Sequence, residues 1–113
     1  MLSNDVNQCK VYTDGKSVYA NANFYPNDII EICPTKKINI TSLYSRDMRD
    51  IILETIPGEE YVIPFGYCQF YDIKDKFNEP NCDYLWDSIS KVLVIKALTK
   101  IYKGEKLVLN LCK

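Results

Sequence analysis

The chain has 113 residues, 47% of them hydrophobic and 26% charged, with a formal net charge of −1. That is one domain's worth of sequence with enough apolar material for its own core, and no basic block marks a nucleic-acid partner. There is no histidine, which removes the commonest general base and metal ligand, and Ser-His and Cys-His nucleophile systems with them.

The N-terminus, MLSNDVNQCKVY, has no basic segment followed by an apolar one, so no signal peptide is expected. Lys10–Thr13 and Ser17–Asn21 read as short strands around an Asp14-Gly15 turn. Pro26-Asn27-Asp28 makes a second turn into Ile29–Ile32, an apolar strand expected to stop at Pro34, and Lys37–Ile40 suggests a short edge strand. Ser42–Thr55 is the one helical candidate. Thr41 or Ser42 can cap it, and Leu43, Tyr44, Met48, Ile51 and Ile52 recur near helical spacing. Pro57-Gly58 would end it, and the apolar stripe is read as core packing. Tyr61–Ile63 is a strand, and Phe65–Tyr71 is open between a helical turn and a loop. Asp72–Asn81 is polar and is expected as a surface loop. Tyr84–Trp86 and Lys91–Ala97 form a hairpin around Asp87–Ser90. Gly104 marks a turn into a last strand, Lys106–Leu111, with Leu107, Leu109 and Leu111 on one face.

One internal echo stands out. Phe24-Tyr25-Pro26-Asn27-Asp28 and Ile101-Tyr102-Lys103-Gly104-Glu105 share an apolar-aromatic pair, a two-residue turn and an acid. The five cysteines, Cys9, Cys33, Cys68, Cys82 and Cys112, are odd in number and contain no C-x-x-C pair. They read as reduced, partly buried thiols, with no metal site expected. Apolar runs such as Val92–Ile95 are too short to span a bilayer. The expectation is a mostly-β, intracellular protein, cytoplasmic or virion-associated, in a single domain over residues 1–113.

The C-terminal half resembles the SET domain of protein-lysine methyltransferases, in particular the minimal stand-alone kind of some viruses and bacteria. Phe65-Gly66-Tyr67-Cys68-Gln69-Phe70-Tyr71-Asp72-Ile73-Lys74 and Pro80-Asn81 stand where that family has an apolar-Gly-aromatic approach, Asn-His-Ser and Pro-Asn. Ala97, Ile101 and Gly104-Glu105-Lys106-Leu107 follow in the family's order. In the N-terminal half, Gly15-Lys16-Ser17-Val18-Tyr19-Ala20 and Pro26-Asn27-Asp28-Ile29-Ile30-Glu31 are weaker counterparts of its first two motifs. The resemblance runs from about Lys10 to Leu111 and implies a β-clip type fold of several small curved sheets around a pseudo-knotted C-terminal segment.

The resemblance further implies S-adenosylmethionine on one face and a target lysine entering through a channel from the other. The cofactor-binding positions carry over as Gly15, Lys16, Ser17, Asp72 and Ile73. Each motif departs from the family. Ser17 stands at a glycine position and adds a Cβ. Asp72 and Ile73 replace an amide and an imidazole, so a donor and a polar ring are missing. Leu111 replaces the tyrosine that orients the amine. Tyr67, Tyr71 and Tyr102 lie near motif positions and are substitute candidates for the channel. In a chain with nine tyrosines the plainer reading of each is packing at the core edge with a wet hydroxyl.

Removing one preorganised donor costs about 10²–10³ in rate. The expectation is therefore a binding or structural component in which S-adenosylmethionine is not bound, and the space between Gly15, Asp72 and Leu111 is filled by an apolar plug of Ile73 and Leu111. The alternative is an active S-adenosylmethionine-dependent lysine methyltransferase with a divergent pocket. A third reading keeps only the architecture, as in sugar-binding or capsid-decorating modules. The sequence stops at Lys113 without a Cys-rich tail, so a protein partner or a second copy is expected to complete any lysine channel.

Overall fold

A computed structural model of the chain describes residues 10–38 and 52–110. It begins with a hairpin, β1 (Val11–Thr13) and β2 (Val18–Ala20), closed around Asp14-Gly15 as the turn chemistry predicts. β3 then runs over Ile29–Ile38. It does not stop at Pro34. Pro34 has no N–H to give, and it sits where β3 changes partner. Its register partner on one side is Val92, and its C=O accepts the Phe65 N–H at 2.8 Å from the other side. Lys37 and Ile38 therefore belong to β3 and not to a separate edge strand.

The expected helix Ser42–Thr55 falls largely outside the described residues. Its last part is a strand: β4 (Leu53–Ile56) pairs with β5 (Glu60–Pro64) across Pro57-Gly58. Here Pro57-Gly58 turns a hairpin instead of ending a helix. Thr55 and Ile56 are β-branched and suit a pleated surface, and cross-strand pairing outweighs the helical spacing of the apolar residues. The Phe65–Tyr71 segment resolves into a loop with a single 3-10 turn at Cys68–Phe70.

The C-terminal half builds the centre. β7 (Cys82–Asp87) and β8 (Val92–Ala97) form the expected hairpin, and β8 also pairs with β3. Two short strands differ from expectation. Asp72–Ile73 is not loop but β6, and the last strand is only β9 (Val108–Leu109). They pair in parallel, Asp72 with Val108 and Ile73 with Leu109. The sheet order is β4-β5-β3-β8-β7-β9-β6. Leu107, Val108 and Leu109 are all buried, so the period-two face read from Leu107 and Leu109 gives way to a segment covered on both sides. Leu111 lies outside the described residues.

Both sheets bury the same core. Leu93, Ile95 and Ala97 of β8 meet Cys33 of β3, Val18 and Ala20 of β2, and Ile101, Leu107 and Leu109. Each fully buried aliphatic side chain contributes about 1.5–3 kcal/mol. Cys33, Cys68 and Cys82 are buried free thiols.

Candidate functional site

The turn after β1 is built by its own side chains. Asp14 Oδ1 accepts the N–H groups of Lys16 and Ser17, each at 2.9 Å, as an Asx turn does. Thr13 Oγ1 accepts the Gly15 N–H and donates to the Ser17 C=O. The Ser17 and Lys16 N–H groups hold the Asp14 carboxyl below its ordinary value. Asp14 Oδ2 also accepts the Tyr19 hydroxyl, and that bond raises the phenol.

This turn meets β6. Ser17, buried at 9% exposure, donates its Oγ to Asp72 Oδ1 at 2.7 Å. Lys106 Nζ lies 3.3 Å from Asp72 Oδ2. Four residues named from the sequence, Gly15, Lys16, Ser17 and Asp72, are thus brought together across 55 positions of chain. Ile73 packs against the core from its place beside Leu109. The contacts described here are polar, between a hydroxyl, a carboxylate and an ammonium. The expected apolar plug depends in part on Leu111, which is outside the described residues.

The approach to β9 is held against the start of β7 by Asn81. Its Oδ1 accepts the Val108 N–H at 2.8 Å, and its Nδ2 donates to the Lys106 C=O at 2.9 Å. Its backbone N–H donates to the Val108 C=O, and the Lys74 N–H to the Leu109 C=O. An amide side chain supplies donor and acceptor at once, so one residue ties the C-terminal segment between two others. The buried Cys82 thiol beside it is pushed up to about 12 by burial. Asn110 Oδ1, at the end of β9, is a buried acceptor with no hydrogen-bond partner.

A second centre gathers Tyr67 and Tyr71, both channel candidates from the sequence, around Glu31, which was not a site candidate. Glu31 on β3 accepts the Tyr71 hydroxyl on Oε1 and the Tyr67 N–H on Oε2, both at 2.9 Å. Tyr71 is 4% exposed, and burial followed by the Glu31 charge drives its phenol far above the ordinary value. Tyr71 is thus a buried donor to a carboxylate, and its hydroxyl is not wet. Cys33 and Cys68 face each other nearby; their mutual hydrogen bond and burial raise the Cys33 thiol. The signal for Glu31 was present in the sequence, a lone acid inside the apolar run Ile29–Cys33. Tyr102 lies elsewhere, exposed and close to Lys100.

A cavity of about 400 Å³ is lined by Ile52, Leu53, Glu54, Thr55, Tyr84 and Trp86. Tyr84 and Trp86 lie on the β7 face that packs toward the core; the sequence placed both in the hairpin and read Trp86 as a core or edge anchor. None of Gly15, Ser17, Asp72, Tyr67, Tyr71 or Tyr102 lines this cavity.

No protein-family model matches the sequence, and no curated protein matches it. Solved structures do. One is a histone methyltransferase candidate of Plasmodium falciparum, with a TM-score of 0.72 and 24% identity over 92% of this chain and 94% of that one. The ATXR5 SET domain in complex with a histone superimposes with a TM-score of 0.66 at 18% identity, covering 96% of this chain and 63% of that one. The chain has the SET-domain fold. The methyltransferase domain of human PR domain-containing protein 2 is similar as well, with a TM-score of 0.65 at 12% identity over 89% of this chain and 76% of that one. Among the described residues, no helix is long and apolar enough to cross a membrane.

Proposed function

We propose that this SET-fold domain works as a protein-binding or structural component without transferring methyl groups. It would act with a protein partner or a second copy and bind neither S-adenosylmethionine nor a metal. The Tyr-, Ile-, Asn- and Lys-rich composition fits an AT-rich source such as a virus, and the component would then be virion-associated or cytoplasmic. One observation carries the reading. The groups that the resemblance assigns to the cofactor are spent on one another. The Lys16 and Ser17 N–H groups go to Asp14, the Ser17 hydroxyl goes to Asp72, and Asp72 pairs with Lys106. A cofactor would have to break these contacts before gaining its own.

The residues present fit S-adenosylmethionine poorly. A carboxylate could pair with a sulfonium or an amine, yet Asp72 already holds two partners. Ile73 offers no polar group. A second reading, an active lysine methyltransferase with a divergent pocket, is favoured by the cavity beside Tyr84 and Trp86, whose phenol and indole could border an incoming side chain. Incubation with methyl-labelled S-adenosylmethionine and a lysate of the source cells separates the two. No labelled protein is expected while a related active enzyme labels its substrate in parallel. Labelled protein that depends on Tyr84 would establish the second reading instead.

A further inference from the structure

The internal echo of the sequence is a physical pair. Phe24 and Ile101 bridge antiparallel, each N–H donating to the other's C=O at 2.8 and 2.9 Å. The two turns that follow are built alike. Asp28 Oδ2 accepts the Tyr25 N–H and Glu105 Oε1 accepts the Tyr102 N–H, both at 2.8 Å. The Asp28 and Glu105 N–H groups return to the Tyr25 and Tyr102 carbonyls, both at 3.0 Å. Asn27 and Gly104 supply the positive φ that each turn needs, 75° and 95°. The result is a pair of like turns, each presenting a tyrosine ring at the surface, 60% and 59% exposed.

The rings already hold a cation. Lys100 Nζ lies 3.5 Å from the Tyr25 ring centroid and 5.2 Å from that of Tyr102, over both rings. The two nearest acids in sequence, Asp28 and Glu105, are turned back into their turns. Among the described residues Lys100 has no carboxylate partner within salt-bridge distance, so the clamp attracts the ammonium through ring faces.

We propose that Tyr25 and Tyr102 form a binding site for a methylated lysine side chain of a partner protein, with Lys100 as the occupant that the ligand displaces. The group seen over the rings is itself a lysine ammonium, so the site has the reach and polarity for that side chain. A primary ammonium is strongly hydrated and gains little from an exposed ring. A methylated one keeps the charge and gives up less water, and aromatic rings recognise it for that reason. Lys100 reduces apparent affinity by the fraction of time that it fills the clamp. The site is separate from the Ser17–Asp72 cluster and does not depend on whether methyl transfer occurs.

The test is titration of the intact protein with a short peptide carrying one trimethyllysine, followed by NMR of the Tyr25 and Tyr102 ring signals. Binding is expected for the trimethyllysine peptide, and weaker or no binding for the unmodified lysine peptide. Lys100→Ala should tighten it about two- to fivefold, the factor of one exposed cation–π contact. Tyr25→Ala should abolish it, and Tyr25→Phe, which keeps the ring face, should retain it. If Tyr25→Ala does not fold, the tightening expected of Lys100→Ala and the retained binding expected of Tyr25→Phe still decide. The proposal is overturned if neither wild type nor Lys100→Ala binds, or if Lys100→Ala binds more weakly. It is also overturned if phosphocholine vesicles bind through Tyr25 and the peptide does not.

Discussion

Replacing Gly66 by alanine tests the hub that joins β3 to the loop before β6. Gly66 has φ +83°, and a Cβ there would lie 2.6 Å from Glu31 Oε2. The positive φ alone costs an alanine about 1–2 kcal/mol. The clash adds to it, because Oε2 accepts the Tyr67 N–H and cannot retreat without losing that bond. A hydrogen bond to a carboxylate is worth about 1.5–3 kcal/mol. Together the loss is about 3–5 kcal/mol, or roughly 12–20 °C in Tm for a chain of this size. Gly58 supplies the control, since its φ is +72° with nothing within 4 Å of an added Cβ. Gly58→Ala should lose only the backbone part, about 1–2 kcal/mol. Thermal unfolding of both variants by circular dichroism gives the comparison. Equal losses in the two would refute the claim that Glu31 is held in place beside Gly66.

Asn81→Ala removes two side-chain bonds to the C-terminal segment and should destabilise by about 1–3 kcal/mol, with hydrogen exchange accelerated more at Val108 of β9 than in β8. Alkaline stability has a defined sign. Cys82 is raised from 9.0 to about 12 in the folded chain, and Tyr71 is raised as well. The unfolded chain therefore releases these protons first, and stability present below pH 9 is lost as pH rises toward 12. Urea unfolding across that window should show it, with a shallower decline in Cys82→Ala. Because Cys33, Cys68 and Cys82 are buried and free, thiol titration with a disulfide reagent should leave these three unreacted in native protein and modify them on denaturation.

Local chemistry made the hairpins legible. Asp14-Gly15, Pro26-Asn27-Asp28 and Asp87–Ser90 announce turns by residues that bond their own backbone or accept positive φ. The misread elements are those whose partners are distant. Asp72-Ile73 is two residues at the head of a polar run, and only Val108-Leu109, far along the chain, make it a strand. Leu53–Thr55 follows apolar residues at helical spacing and was counted into their helix, yet pairing with Tyr61 and Val62 decides its form. The site divides the same way. Ser17 and Asp72 were each named from family resemblance, but their hydrogen bond is a product of the fold. Tyr67 and Tyr71 were named as channel candidates, but their meeting on Glu31 is likewise a product of the fold.

The central claim is that the turn at Lys16-Ser17 and the Asp72 carboxylate are closed on each other and leave nothing for a cofactor. Isothermal titration calorimetry of the pure protein with S-adenosylmethionine tests it directly. The account predicts no saturable heat up to a ligand concentration of about 1 mM, a binding free energy weaker than about −4 kcal/mol. A Kd in the micromolar range, lost in Asp72→Ala, would contradict it.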